Sequence, residues 1–140
     1  MSDQSKRITT AFKNHYPFRL ACPSFIYPAG YADNVRLLGA CVDEIELLLL
    51  ESAPECLPSK NEIDELAALK NDSGITFNIH LPTDIYFEYK KPASGSTAVD
   101  GLLRAIDLAR PLEPVSWTLH VPFNGEPDNE DGIVAWQDRV

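Results

Sequence analysis

The segment Ile75-Thr76-Phe77-Asn78-Ile79-His80-Leu81-Pro82 has a near copy in Val115-Ser116-Trp117-Thr118-Leu119-His120-Val121-Pro122, and the two histidines stand 40 residues apart. Both segments alternate polar and apolar side chains, the period of a strand whose two faces meet different surroundings. Thr76, Asn78 and His80 share one face, and Phe77, Ile79 and Leu81 the other. Ser116, Thr118 and His120 likewise lie opposite Trp117, Leu119 and Val121. A strand-helix-strand unit occupies upward of about 30 residues, so the interval fits two consecutive parallel strands joined by a helix.

The flanking sequence extends this pattern in both directions. Upstream, Glu44 to Leu50 is a nearly continuous aliphatic run, as expected when both faces of a sheet are covered. Phe18 to Cys22 reads as a first strand stopped by Pro23, and Tyr31 to Ala40 as a short helix with Val35 and Leu38 on one side. Ser59 and Glu62 have the form of a capping box at the head of a helix striped by Ile63, Leu66 and Leu69 and ended by Gly74. Downstream, Thr83 to Gly95 reads as a long loop carrying Tyr86, Phe87 and Tyr89. A helix from about Thr97 to Arg110 follows, showing Leu102, Leu103, Ile106 and Leu108 and stopping before Pro111. Val115 to Val121 is the fourth strand, and Ile133, Trp136 and Val140 recur at helical spacing behind it.

Strands alternating with helices predict an α/β fold around a parallel sheet. The expectation is an N-terminal extension, 1–17, followed by a (βα)4 half of a TIM (β/α)8 barrel over 18–140, its last helix incomplete. Such a half-barrel has two bare edges, which soluble proteins rarely leave unpaired. Self-association or a C-terminal half would close it.

The remaining composition narrows the function classes. With 140 residues and 44% hydrophobic content, one domain with a substantial core is expected. Neither a signal-peptide pattern nor an apolar run of membrane-spanning length is visible, so no membrane partner is expected. Three cysteines, Cys22, Cys41 and Cys56, form no C-x-x-C spacing and suit a reducing cytoplasm. A formal charge of −9 argues against the phosphate-backbone binding of nucleic-acid proteins. The sequence contains no G-x-G-x-x-G, P-loop or nucleophile elbow.

Both histidines fall at the carboxyl end of a strand, where barrel enzymes collect their catalytic groups. Adjacent strands are about 4.8 Å apart, so two imidazoles at equal height reach one metal ion. A lone histidine is more often a partly buried residue satisfied by its neighbours; repetition in sequence, face and height favours ligation. Zinc enzymes typically add a third protein ligand and a water. Glu46, Glu51 and Asp84 are candidates for ligand, general base or substrate contact, and Glu46 is the hardest to explain as surface because it lies within an apolar strand. Tyr86, with Phe87 and Tyr89, is a candidate binding lip, although packing under the loop accounts for these rings equally well.

Beyond these patterns, the chain from about Phe18 onward resembles the cobamide-remodelling phosphodiesterases of the xylose isomerase-like superfamily. That superfamily also holds the family 2 apurinic endonucleases and many sugar isomerases and epimerases. The resemblance rests on Pro23-Ser24-Phe25-Ile26-Tyr27-Pro28, Asp43-Glu44-Ile45-Glu46-Leu47-Leu48-Leu49-Leu50-Glu51, Leu57-Pro58, Glu62-Ile63, His80-Leu81-Pro82-Thr83-Asp84 and Leu119-His120. The His-x-Pro and Ile-Glu-Leu elements are shared across the superfamily, whereas the Ser-Phe-Ile-Tyr-Pro opening with the Glu-rich leucine strand points to the cobamide group.

The resemblance implies a metal-dependent hydrolase that cuts the phosphoester in the nucleotide loop of a corrinoid, leaving cobinamide phosphate. It implies a divalent metal (zinc, manganese or iron) on His80 and His120 and matches Glu46 to the family's second-strand glutamate; Glu51 is taken as a further catalytic candidate, and Ser24, Tyr27, Asp84 and Tyr86 as candidate substrate contacts. Family members carry further carboxylate and histidine ligands on later strands, beyond the four present in this chain. Two other expectations stand beside the hydrolase: a sugar (phosphate) isomerase or epimerase on the same barrel, and a truncated protein that binds without catalysis.

Overall fold

The computed structural model describes residues 8–85, 92–121 and 134, with the backbone alone at 92–97. Strands β1 (Ala21–Pro23), β2 (Glu44–Leu48), β3 (Thr76–His80) and β4 (Ser116–Thr118) alternate with helices α1 (Tyr31–Leu38), α2 (Lys60–Ser73) and α3 (Pro92–Ala109). The strands form one parallel sheet in the order β1-β2-β3-β4, so the expected α/β alternation is present.

One core lies between the sheet and its helices. Ile45, Leu47, Phe77 and Ile79 are at most 1% exposed and meet Val35 and Leu38 of α1, Ile63 and Leu66 of α2, and Ala105 and Ala109 of α3. The opposite face carries Glu44, Glu46, Leu48, Thr76, Asn78 and His80, all half-buried. The alternation seen in the sequence therefore sorts the strand side chains as expected: Phe77, Ile79 and Leu81 go to the helices, and His80 goes to the other face.

The elements differ from their sequence-based bounds where side chains or proline intervene. β1 is shorter than expected because the Asp43 carboxylate takes the Leu20 N–H at 2.9 Å, while Leu20 O accepts from the amides of Asp43 and Glu44. α3 starts at Pro92 rather than Thr97, since proline's fixed φ suits a first helical position. Its inward face uses Leu102, Ala105, Ile106 and Ala109, while Leu103 is 51% exposed. β4 has three residues where seven were expected, and Val115, Trp117 and Leu119 on its helix side are exposed. The expected final helix through Ile133, Trp136 and Val140 lies outside the described residues, of which only Val134 falls in that stretch.

Three polar side chains lock the loops. Asn34, fully buried, accepts from Tyr27 N at 2.9 Å and donates to the carbonyls of Tyr27, Ala29 and Gly30, closing the β1–α1 turn. Lys13 Nζ donates to Gly39 O at 3.1 Å and to Ser73 O, so one ammonium caps the carboxyl ends of both α1 and α2. Asp43 receives Asn14 N at 2.7 Å as well as Leu20 N, joining the N-terminal segment to the start of β2.

The amides of Leu20 and then Asn14 hold the Asp43 carboxyl below its ordinary range. A depressed folded-state pKa contributes stability above the unfolded value, about 3.9, that disappears as pH falls through the folded one. Asp43→Asn is thus expected to lower the thermal midpoint at neutral pH, with the gap to the parent closing progressively below about pH 4. A gap that stays constant through this acid range would rule out the carboxylate as its source.

The capping box at α2 is present as expected. Ser59 Oγ accepts from Glu62 N at 3.3 Å, Glu62 Oε2 accepts from Ser59 N at 2.9 Å, and Gly74 closes the helix at φ 67°. Ser59→Ala should cost about 1 kcal/mol of stability, measurable as a shift in urea midpoint without a change in slope.

Candidate metal centre

His80 ends β3, and its register partner on β4 is Thr118. His120 therefore sits two residues further along than its neighbour, not at the equal height that the sequence repeat suggested. The offset is even, so parity keeps both side chains on the open face. The rings meet with centroids 4.8 Å apart, and His80 Nε2 lies 3.0 Å from His120 Nε2.

The protonation of His80 follows from its other nitrogen. Nδ1 is 3.0 Å from Leu81 O, and a carbonyl oxygen only accepts, so Nδ1 carries the hydrogen. In the neutral ring the lone pair is then at Nε2, the form a metal requires, and the Leu81 carbonyl orients the ring in the manner of a metal site's outer shell. Two nitrogens bound about 2.05 Å from a tetrahedral zinc stand about 3.3 Å apart. At 3.0 Å the two nitrogens are at the distance of an N–H···N hydrogen bond, in which His120 Nε2 donates to the His80 Nε2 lone pair, and a metal between them would replace that hydrogen with only a few tenths of an ångström of adjustment. Among the described residues no third His, Cys, Asp or Glu joins them in a group able to hold a metal.

Below the pair lies a polar layer. Glu46 on β2 faces Asn78 on β3, which faces Ser116 on β4. Asn78 Oδ1 is buried without a hydrogen-bond partner, unique among the side-chain polar atoms of the described residues. A buried acceptor in this state calls for a donor from outside the described structure. Deeper still, Glu44 accepts from Thr76 Oγ1 at 2.8 Å and approaches Arg19 at 3.7 Å.

The other predicted site residues are placed as follows. The Asp84 carboxylate receives Ser52 N at 2.9 Å and Ser52 Oγ at 3.0 Å, clipping the loop after β3 to the loop after β2. Glu51 accepts from the Cys56 thiol at 3.2 Å, and this bond pushes the exposed thiol's pKa up. Ser24 is fully buried, its Oγ accepting from Leu48 N at 3.2 Å. Tyr27 Oη accepts from Ile8 N at 2.7 Å. Tyr86 lies outside the described residues. The structure thus brings His80, His120, Glu46 and Asn78 to one face, while Ser24, Tyr27 and Asp84 make bonds that hold loops.

Two contributors to this mouth were not singled out in the sequence. Asn78 was assigned to the histidine face without a role. Leu48 is the register partner of His80, and it looked like one more aliphatic residue of a buried strand. Its parity with Glu46 was the available signal. Comparison of the chain with family models, curated proteins and solved structures returns no match.

Proposed function

We propose that the chain forms one half of a xylose isomerase-like (β/α)8 barrel that acts as a metal-dependent phosphodiesterase of the cobamide-remodelling kind, with a corrinoid as substrate. The observation that carries this reading is the His80–His120 pair, with facing Nε2 atoms at 3.0 Å, at the carboxyl edge of a parallel sheet.

His80 and His120 would hold the ion, with the Leu81 carbonyl, 3.0 Å from Nδ1, fixing the His80 ring. When bound, a divalent ion supplies Lewis-acid polarisation of a phosphoryl oxygen and an acidified water. Glu46, one strand away on the same face, is the nearest strand-borne carboxylate to Asn78 and the candidate proton acceptor. Asn78 Oδ1, enclosed behind this face, is left without a partner among the described residues.

The same scaffold admits a second reading. In a sugar (phosphate) isomerase the metal would hold sugar oxygens while a carboxylate moves a proton. The test is to incubate the protein, loaded with zinc, manganese or iron, with a cobamide and with a panel of aldose phosphates. Release of cobinamide phosphate supports the phosphodiesterase, and sugar interconversion supports the isomerase. Metal uptake with neither reaction would leave a binding protein.

A further inference from the structure

We infer that a second copy of this chain completes the sheet, its β1 lying parallel against β4 of the first copy and its β4 against the first copy's β1. The inference rests on the half-barrel reading and names the partner that supplies the other four strands. Among the described residues the order β1-β2-β3-β4 leaves β1 and β4 each paired on one side only. On β1, Leu20 O accepts from the amides of Asp43 and Glu44, and Ser24 N donates to Glu46 O, so by alternation the backbone groups of Ala21 and Pro23 face away from β2. Pro23 offers its carbonyl alone, which makes Ala21 N the outward donor. Exposed apolar side chains gather at the same two borders. Phe18, Phe25 and Ile26, at 61%, 45% and 41% exposure, bracket β1, and Val115, Trp117 and Leu119 run along β4. β2 and β3 themselves carry no large exposed apolar residue.

The two borders belong to opposite edges of one parallel sheet, and that decides how copies meet. Pairing β4 with β4 of another copy about a two-fold axis is antiparallel and leaves β1 with its phenylalanines bare. A two-fold axis running along the strands instead sets β4 against β1 twice over, keeps every strand parallel and satisfies all four edges with two chains. Eight is also the strand number at which side chains fill the interior of a barrel. Because all eight strands then point one way, the His80–His120 pairs of both copies open at a single mouth, with Glu46 of each on the face that turns inward.

The test is sedimentation of the parent, of Trp117→Lys at the β4 border, of Phe18→Glu at the β1 border, and of an equimolar mixture of the two variants. The parent should form a two-chain species that does not grow with concentration. Each variant alone spoils both contacts, whereas the mixture restores one unaltered β4–β1 contact and sets lysine against glutamate in the other. The mixture should therefore associate at least about tenfold more tightly than either variant. Circular dichroism checks that each variant is folded, and Val115→Lys or Ile26→Glu replaces one that is not. A monomeric parent, open polymers that lengthen with concentration, or a mixture no tighter than its components overturns the pairing. Undiminished association of Phe18→Glu beside loss in Trp117→Lys assigns the contact to β4 alone and overturns it equally. Sedimentation needs neither metal nor substrate, so failure here is distinct from failure of the hydrolase reading, which the turnover assays decide.

Discussion

His80→Ala and His120→Ala are each expected to weaken zinc binding by at least about a hundredfold and to abolish turnover, with little change in thermal midpoint. Removing one imidazole from the proposed pair leaves a single nitrogen, and an ion held there would lose the ligand that fixes its position. The fold has little stake in either ring: His120 is exposed, and His80 is half-buried on the face away from the core. Packing histidines would behave differently, with stability falling first and activity following the folded fraction. Metal content, melting and cobamide hydrolysis should be measured on the same samples. A variant that keeps parental metal content and turnover removes that histidine from the site.

The 140-residue polypeptide is expected to sediment as a dimer or larger species at micromolar concentration rather than as a monomer. Among the described residues β1 and β4 are both edge strands, and parallel edges present unpaired amides and carbonyls. β4 adds Val115 at 47% exposure, Trp117 at 38% and Leu119 at 40%, a contiguous apolar strip. Trp117→Lys places a charge on that strip and should shift the distribution toward smaller species. A monodisperse parent chain that unfolds cooperatively would show that the edges are capped within the chain itself.

The alternating segments were the most legible part of the sequence, because a period of two has one physical meaning when one side must be dry. Phe77 and Ile79 went to the core and His80 to the open face on that ground alone. The capping box at Ser59 and the glycine stop at Gly74 were equally visible, since both are local chemistry. Less accessible was anything set by register. The spacing of 40 residues suggested equal heights for His80 and His120, whereas the ladder offsets them by two. The pairing of Leu81 N with Thr118 O, within the β3–β4 register, reveals this. The length of β1 was misjudged for a related reason: the Asp43 carboxylate, distant in sequence, takes a bond that a ladder partner was expected to supply. The roles of Ser24 and Asp84 in holding loops depend on contacts across 24 and 32 residues, and no local pattern encodes them.

The dual cap made by Lys13 bears on the order in which the molecule opens. Its ammonium bonds to carbonyls at the ends of two helices, while Phe12 N donates to Cys41 O and Asp43 holds Asn14 and Leu20. These bonds share one short stretch of chain, so detaching the stretch breaks all of them together. Amide hydrogens at Phe12, Asn14 and Leu20 should accordingly exchange with solvent deuterium at a common rate, as one cooperative unit. Acetylation of Lys13 would remove the charge that fastens it and accelerate exchange at all three positions, leaving the amides of β3 protected.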